Sequence, residues 1–187
     1  MTEPAPPPRL WVHDLPVTIG ALVLLSVGWV VHRTMTRPQL ATFHAEGLAF
    51  QYPKGWYPRE EAPGRWWYES IDDPAQRIEV RVEPAPRLAA SVATTVEFER
   101  ATQAGGYYKR LERGDVELGG RKWTRTRFSY AFKTDEEAAP ALATGIEYAC
   151  LNDDRQYVVT VHGSDAQVAE MERDYLRTVK LEGGRPR

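Results

Sequence analysis

The chain has 187 residues, with 24 Lys and Arg against 26 Asp and Glu, a net charge of −2, and a single cysteine, Cys150. That length holds about one ordinary domain with its own core, and shares of 42% hydrophobic and 27% charged residues are those of a globular chain, not a disordered one. The near-neutral balance argues against nucleic acid as a partner, and a lone cysteine excludes a disulfide framework, a thiolate zinc cluster and a lipid-modified N-terminal cysteine.

Residues 1–14 read as a Pro-rich tail. Residues 17–31, VTIGALVLLSVGWVV, are uncharged. Asp14 is a good N-cap, Pro16 is tolerated in a first turn, and Pro38 discourages continuation. The pattern predicts one transmembrane helix over 15–36, about 33 Å long at 1.5 Å per residue. Trp11 and Trp29 lie toward the ends, where indole rings favour the interface, and Arg33 can snorkel. A cleaved signal peptide fits less well: the start, MTEPAPPPRL, carries one Arg, and the apolar run leads into HRTMTRPQ, a stop-transfer pattern. Arg9 before the helix against Arg33 and Arg37 after it favours a cytoplasmic domain by one residue. A tail this short often stays inside, however. The expected setting is therefore an inner (cytoplasmic) membrane with the domain in the periplasm, the cytoplasm being the alternative. Ala21 and Gly28 lie one heptad apart on a stripe that begins at Asp14, and small residues let a second helix approach closely.

After Pro38 the pattern becomes alternation. LATFHAE and GLAFQYP predict two strands meeting at Glu46-Gly47, and a third surrounds Trp66–Ile71. RIEVRVEP predicts a strand with Ile78, Val80 and Val82 facing in and Arg77, Glu79 and Arg81 facing out. A helix is expected over 88–104, with Leu88, Val92 and Val96 on one side and Gly105-Gly106 as its stop. Strands near 107–112 and 116–118 are separated by a turn at Arg113-Gly114-Asp115, and Gly119-Gly120 turns into a strand over 121–133. A polar loop covers 134–141. Strands near 144–151 and 155–162 follow, joined by Asn152-Asp153-Asp154. The last helix opens on a Ser164-x-x-Gln167 capping box and carries the stripe Val168, Met171, Tyr175, Leu176 and Val179. The class is α+β: a mostly antiparallel sheet of six or more strands with helices packed on it.

Residues 47–56, Gly-Leu-Ala-Phe-Gln-Tyr-Pro-Lys-Gly-Trp, resemble the G-x-x-F-x-Y-P-x-G-W opening hairpin of PsbP-like domains. The late hairpin at 157–162 and the amphipathic helix after it follow a similar order of elements. The resemblance runs from about Ala41 to Leu181 and implies that 41–187 is a soluble PsbP-like α/β/α sandwich. It further implies a non-enzymatic, extracytoplasmic module attached to a larger assembly. An uncleaved anchor departs from the many members that are soluble or lipid-anchored.

Little in the chain points to chemistry. Cys150 alternates with Tyr148 and Ile146, as a buried small hydrophobe does. No Gly-x-Ser-x-Gly elbow, Ser-x-x-Lys or phosphate-cradling glycine loop occurs. His44 and His162 stand apart without ligand spacing, and Asn152-Asp153-Asp154 is ordinary turn composition. In RKWTRTRF, Arg121, Trp123, Arg125 and Arg127 share a face that could meet an anionic partner. The simpler expectation is a solvated face paired across strands with Glu79, Glu112 and Glu147. Trp66 and Trp67 point to opposite sides, so one of them is expected to be exposed and available to a partner unless helices or a partner cover both faces. The expected function is a non-catalytic, membrane-anchored accessory subunit without cofactor or metal. It docks onto and stabilises an integral membrane complex, photosynthetic or respiratory, through Asp14, Ala21, Gly28, Trp66 and Trp67, with the bilayer holding the anchor. The alternative is a stand-alone tethered sensor or small-ligand module, with a groove beside the aromatic cluster.

Overall fold

The computed structural model describes residues 11–35, 39–85, 92–103, 107–132 and 141–182. The chain divides into two units, 1–38 and 39–187. The first contains helix α1, Trp11–Met35, 25 residues long. Its described side chains, residues 18–31, are uncharged and all exposed. Fourteen residues cover only about 21 Å, and among the described residues no helix is long and apolar enough to cross a membrane. The expected span over 15–36 is thus not carried by the described residues, and the tail over 1–10 lies outside them.

The second unit has ten strands and two α-helices among its described residues. Strands β1 (Leu40–Ala45), β2 (Leu48–Pro53) and β10 (Lys180–Leu181) form a small antiparallel sheet in the order β1-β2-β10. A seven-stranded sheet contains β3 (Tyr57–Ala62), β4 (Arg65–Glu69), β5 (Arg77–Pro84), β6 (Tyr108–Leu118), β7 (Arg121–Phe132), β8 (Ala141–Asn152) and β9 (Arg155–Gly163). Its order is β3-β4-β5-β9-β8-β7-β6, and every paired neighbour is antiparallel.

Alternation gives the large sheet two unlike faces. On one, Tyr68, Ile78, Val80, Ile146, Tyr148, Val159 and Val161 are buried in a single cluster with Phe43, Leu48 and Phe50 of the small sheet. Helix α3 (Asp165–Asp174) and the 3₁₀ turn Leu176–Thr178 lie on this face and add Val168, Met171, Tyr175, Leu176 and Val179. Each fully buried aliphatic side chain there contributes about 1.5–3 kcal/mol. The capping box is formed: Ser164 Oγ accepts from the Gln167 amide, and Gln167 Oε1 accepts from the Ser164 amide at 2.8 Å. Helix α2 (Val92–Gln103) covers the other face.

The described strands differ from the expected ones in three places, one being the short β10, which follows the last expected helix and pairs with β2. Strand β6 runs unbroken through Gly114, which pairs with Arg125, and its irregularity is a bulge between Arg110 and Glu112. Strand β3 arises where no strand is expected; YPREEA has no apolar alternation because it is an exposed edge, where proline is tolerated. Leu88, Gly105 and Gly106 and most of the polar loop lie outside the described residues.

Candidate functional site

The densest gathering of ionisable groups lies under α2, where a solvated surface was expected. Glu79 and Arg81 of β5 are buried, not facing out. The pairing places Trp67, Glu79, Thr160, Glu147 and Thr126 in one row across five strands, and Glu69, Arg77, His162, Gly145 and Phe128 in the next. Gly145 is needed there: a Cβ on it would lie 2.3 Å from Phe128 Cζ, inside the ring. Arg100 of α2 reaches down between the carboxylates. Its Nη2 lies 2.6 Å from Glu79 Oε2 and donates to Thr160 Oγ1 at 3.1 Å, while its Nε is 3.6 Å from Glu147 Oε2. Thr160 Oγ1 donates onward to Glu147 Oε2 at 3.3 Å. Arg81 lies 3.3 Å from Glu79 Oε1 and donates to Glu99 of α2 at 2.6 Å.

Electrostatics follow from this packing. Burial drives the Glu79 carboxyl upward, yet Arg100, His162 and Arg81 together hold it well below the usual carboxylate range. At Glu147 burial prevails over Arg100 and Arg81, and its carboxyl is raised. Burial disfavours the Arg100 charge, but the two carboxylates more than offset that. Burial also pushes His162 down to about 3, against the pull of Glu79. A neutral imidazole has one donor and one acceptor nitrogen. Tyr130 Oη is 2.9 Å from Nδ1 and accepts from Arg77 Nη2 at 3.4 Å. The Glu79 carboxylate only accepts, which favours the tautomer with its proton on Nε2, 3.5 Å from Glu79 Oε2, and Nδ1 accepting from Tyr130. The set is charge-matched and sealed by α2. Its described contacts join a helix to a sheet.

The basic strand is also covered. Trp123 is buried, Arg125 forks onto Glu172 of α3 at 2.5 and 3.0 Å, and Arg127 reaches Asp165 at 2.9 Å. Arg121 donates to Asn152 Oδ1 at 2.5 Å. Of the three carboxylates expected across this face only Glu112 pairs with it, at 2.9 Å from Arg125. Glu79 and Glu147 belong to the opposite face. The anion-facing surface is the ceiling of the apolar core.

Trp66 and Trp67 face opposite ways and both are half-buried, so neither is the exposed one expected where a face is left uncovered. Trp66 packs edge-on against Phe43 at 5.2 Å. Trp67 lies beneath the Arg77 guanidinium at 4.5 Å, and its Nε1 donates to Glu61 at 2.7 Å. The other aromatics fill one another's space: Tyr52 is 4.3 Å from Tyr68 and Trp56 is 6.3 Å from Tyr175. A hollow of about 280 Å³ lies elsewhere, between Gly120–Lys122 and Cys150–Asp153. Burial raises the Cys150 thiol, opposed by Arg121, so it holds little thiolate. Ala21 and Gly28 are exposed on α1, and the Asp14 side chain lies outside the described residues. Among the described residues no three His, Cys, Asp or Glu gather to hold a metal ion.

The sequence reading missed the polar seam. Its signal is in β9, RQYVVTVHG, which is buried on both faces from Gln156 to Gly163. A strand apolar on both sides is a covered central strand, so Thr160 and His162 within it had to be internal.

An antiparallel sheet with a helix on each face and a small sheet at one side is the PsbP-like architecture. The solution structure of cyanobacterial PsbP (CyanoP) from Synechocystis sp. PCC 6803 matches at a TM-score of 0.58 and 10% identity, covering 78% of this chain and 94% of that one. The Saccharomyces cerevisiae Ran-binding protein Mog1p matches at 0.51 and 12% identity, over 78% of this chain and 96% of that one. At such identities the likeness establishes the fold alone. No protein-family model matches the chain, and no curated protein matches it in sequence.

Proposed function

We propose that the chain is a membrane-tethered, non-catalytic accessory subunit whose PsbP-like domain docks onto an integral membrane complex. The observation that carries this reading is helix α1. Its fourteen described side chains are all exposed, with Ile19, Leu22, Leu24, Leu25, Val27, Trp29 and Val30 each more than half accessible. A helix that is apolar on every side requires burial on every side. A bilayer is a cover that meets this requirement. The whole helix of 25 residues is about 37 Å long, and the uncharged run continues back to Leu15, which supports a single span.

The domain then works near a membrane surface, on the periplasmic side of an inner membrane, with a photosynthetic or respiratory assembly as the first place to look. Ala21 and Gly28 offer a close helix approach, Asp14 a polar contact at the interface, and the Trp66–Trp67 pair a contact from the domain. Trp67 suits an outside surface better, since Trp66 is engaged with Phe43. Two weak contacts on one tether raise each other's effective concentration.

Leu22→Arg is the direct test, because a central Arg costs about 3 kcal/mol on insertion scales. The variant should leave the carbonate-resistant membrane fraction, and Gly28→Leu with Trp67→Ala should detach a folded, membrane-bound protein from its complex in mild detergent. Wild-type recovery of the first variant removes the anchor. A wild type that runs only as a free monomer removes the docking role.

A further inference from the structure

Helix α2 is attached differently from every other covering element. Of its described side chains only Val96 and Arg100 are buried, and Val96 belongs to a separate cluster of three with Ala149 and Val158. Among the described side chains that is one aliphatic contact, against the five residues by which α3 and the turn after it enter the main core. Most of its other described attachments are ionic: Arg100 to Glu79 and Glu147, Glu99 to Arg81, and Glu97 to Arg110 at 2.9 Å and Arg113 at 3.5 Å, with Arg100 also lying over the Phe128 ring and Arg113 donating to Thr94. On its outer side Phe98 is exposed.

Beneath it the sheet keeps a socket of fixed shape. Glu79, Thr160 and Glu147 stand in one cross-strand row, and their oxygens take a single guanidinium from above. His162 Nε2, fully buried and without a well-formed hydrogen bond, is directed at the same Glu79 oxygen from 3.5 Å. Planar, forked donors match such a set of oxygens where an ammonium does not. The socket belongs to the strands, whereas its occupant belongs to a helix whose described hold on the sheet is mostly ionic.

We propose that α2 is a detachable cover, that Arg100 is an internal plug in a guanidinium-binding socket, and that an arginine of the docking partner takes the socket when α2 lifts. Lifting bares two neighbouring carboxylates to solvent, and a cation that pairs with both favours the open form. The partner's part rests on the docking reading above, while the cover and the socket do not.

Hydrogen exchange on the intact wild-type protein tests the cover. Amides over 94–103 should exchange at least about a hundredfold faster than those of β8 and β9, as a unit opening below the global free energy. Equal protection of α2 and the central strands overturns the cover. Arg100→Ala tests the socket. Ethylguanidinium at millimolar concentration should restore its Tm and α2 protection, and equimolar ethylammonium should not. Equal rescue by both cations, or by neither, overturns the guanidinium site.

If Arg100→Ala does not fold, Arg100→Lys serves instead. It should quicken α2 exchange about tenfold, and no change overturns the socket. All these readouts use the isolated protein. Loss of complex formation by the anchor variants therefore counts against docking alone, and failure here counts against the socket alone.

Discussion

Ile78 and Glu79 are adjacent on one strand, both are buried, and they belong to two different kinds of interior. Below Ile78 the sheet meets α3 and the small sheet mainly through aliphatic and aromatic side chains, with the Arg125–Glu172 and Arg127–Asp165 pairs at the margin. Above Glu79 it meets α2 through charges, each of which needs a particular one. An apolar face tolerates imperfect geometry at a modest cost, since contact energy is spread over many atoms. A buried charged face is all-or-none, because a single missing partner leaves a desolvated charge. The same β-strands thus hold one helix by area and the other by pairing.

The first way to test this contrast is on that strand. Ile78→Ala should cost about 2–5 kcal/mol in urea unfolding at unchanged m-value, since it opens a cavity in the main core. Glu79→Ala should cost a comparable 3–5 kcal/mol although it removes no large apolar surface, because Arg100 and Arg81 lose their shared counter-charge. Replacing Glu79 and Arg100 together by leucine should recover most of that loss. If the single change costs under about 1 kcal/mol, the seam is wet and the contrast fails.

The next effect is in pH. Below 6.5 the unfolded chain takes up a proton that the buried His162 refuses until about 3, so stability falls as pH drops through that window, by up to about 1.4 kcal/mol per unit. Glu79, held low, adds its own loss once the pH passes below 4.5, whereas the raised carboxyl of Glu147 works in the opposite sense. His162→Gln should flatten the slope between 6.5 and 4.5. An unchanged slope there means that the imidazole already titrates in the folded state. The smallest change is expected where a charged pair sits at the margin of the apolar side. Arg125→Lys breaks the fork onto Glu172 and should cost about 0.5–1 kcal/mol.

What the sequence showed follows the same division. Strands β5, β8 and β9 and helix α3 were legible because burial on the main core side imposes a period of two or a capped apolar stripe. The charged side was not, because Arg77, Glu79 and Arg81 alternate just as residues facing water do, and only the cover distinguishes the two cases. The expected turn at Gly114 failed for a related reason. Its composition is that of a turn, but the glycine pairs with Arg125 on the edge of the sheet, and the strand runs on. Strand β3 carried no pattern because nothing packs against it. The fold could be read as far as side chains answer to one apolar core; the seam was decided by tertiary pairing.

Both margins of the large sheet are closed to further strands. At one end β3 presents Pro58, Arg59, Glu60 and Glu61, with a bulge between Glu60 and Ala62. At the other, β6 presents Lys109, Arg110, Glu112, Arg113, Asp115 and Glu117, with a bulge after Arg110. Charge, proline and bulges are what prevent one sheet from extending into the next. The domain is therefore a poor monomer for any polymer. A pool of free domains is expected to stay dispersed rather than grow into ribbons.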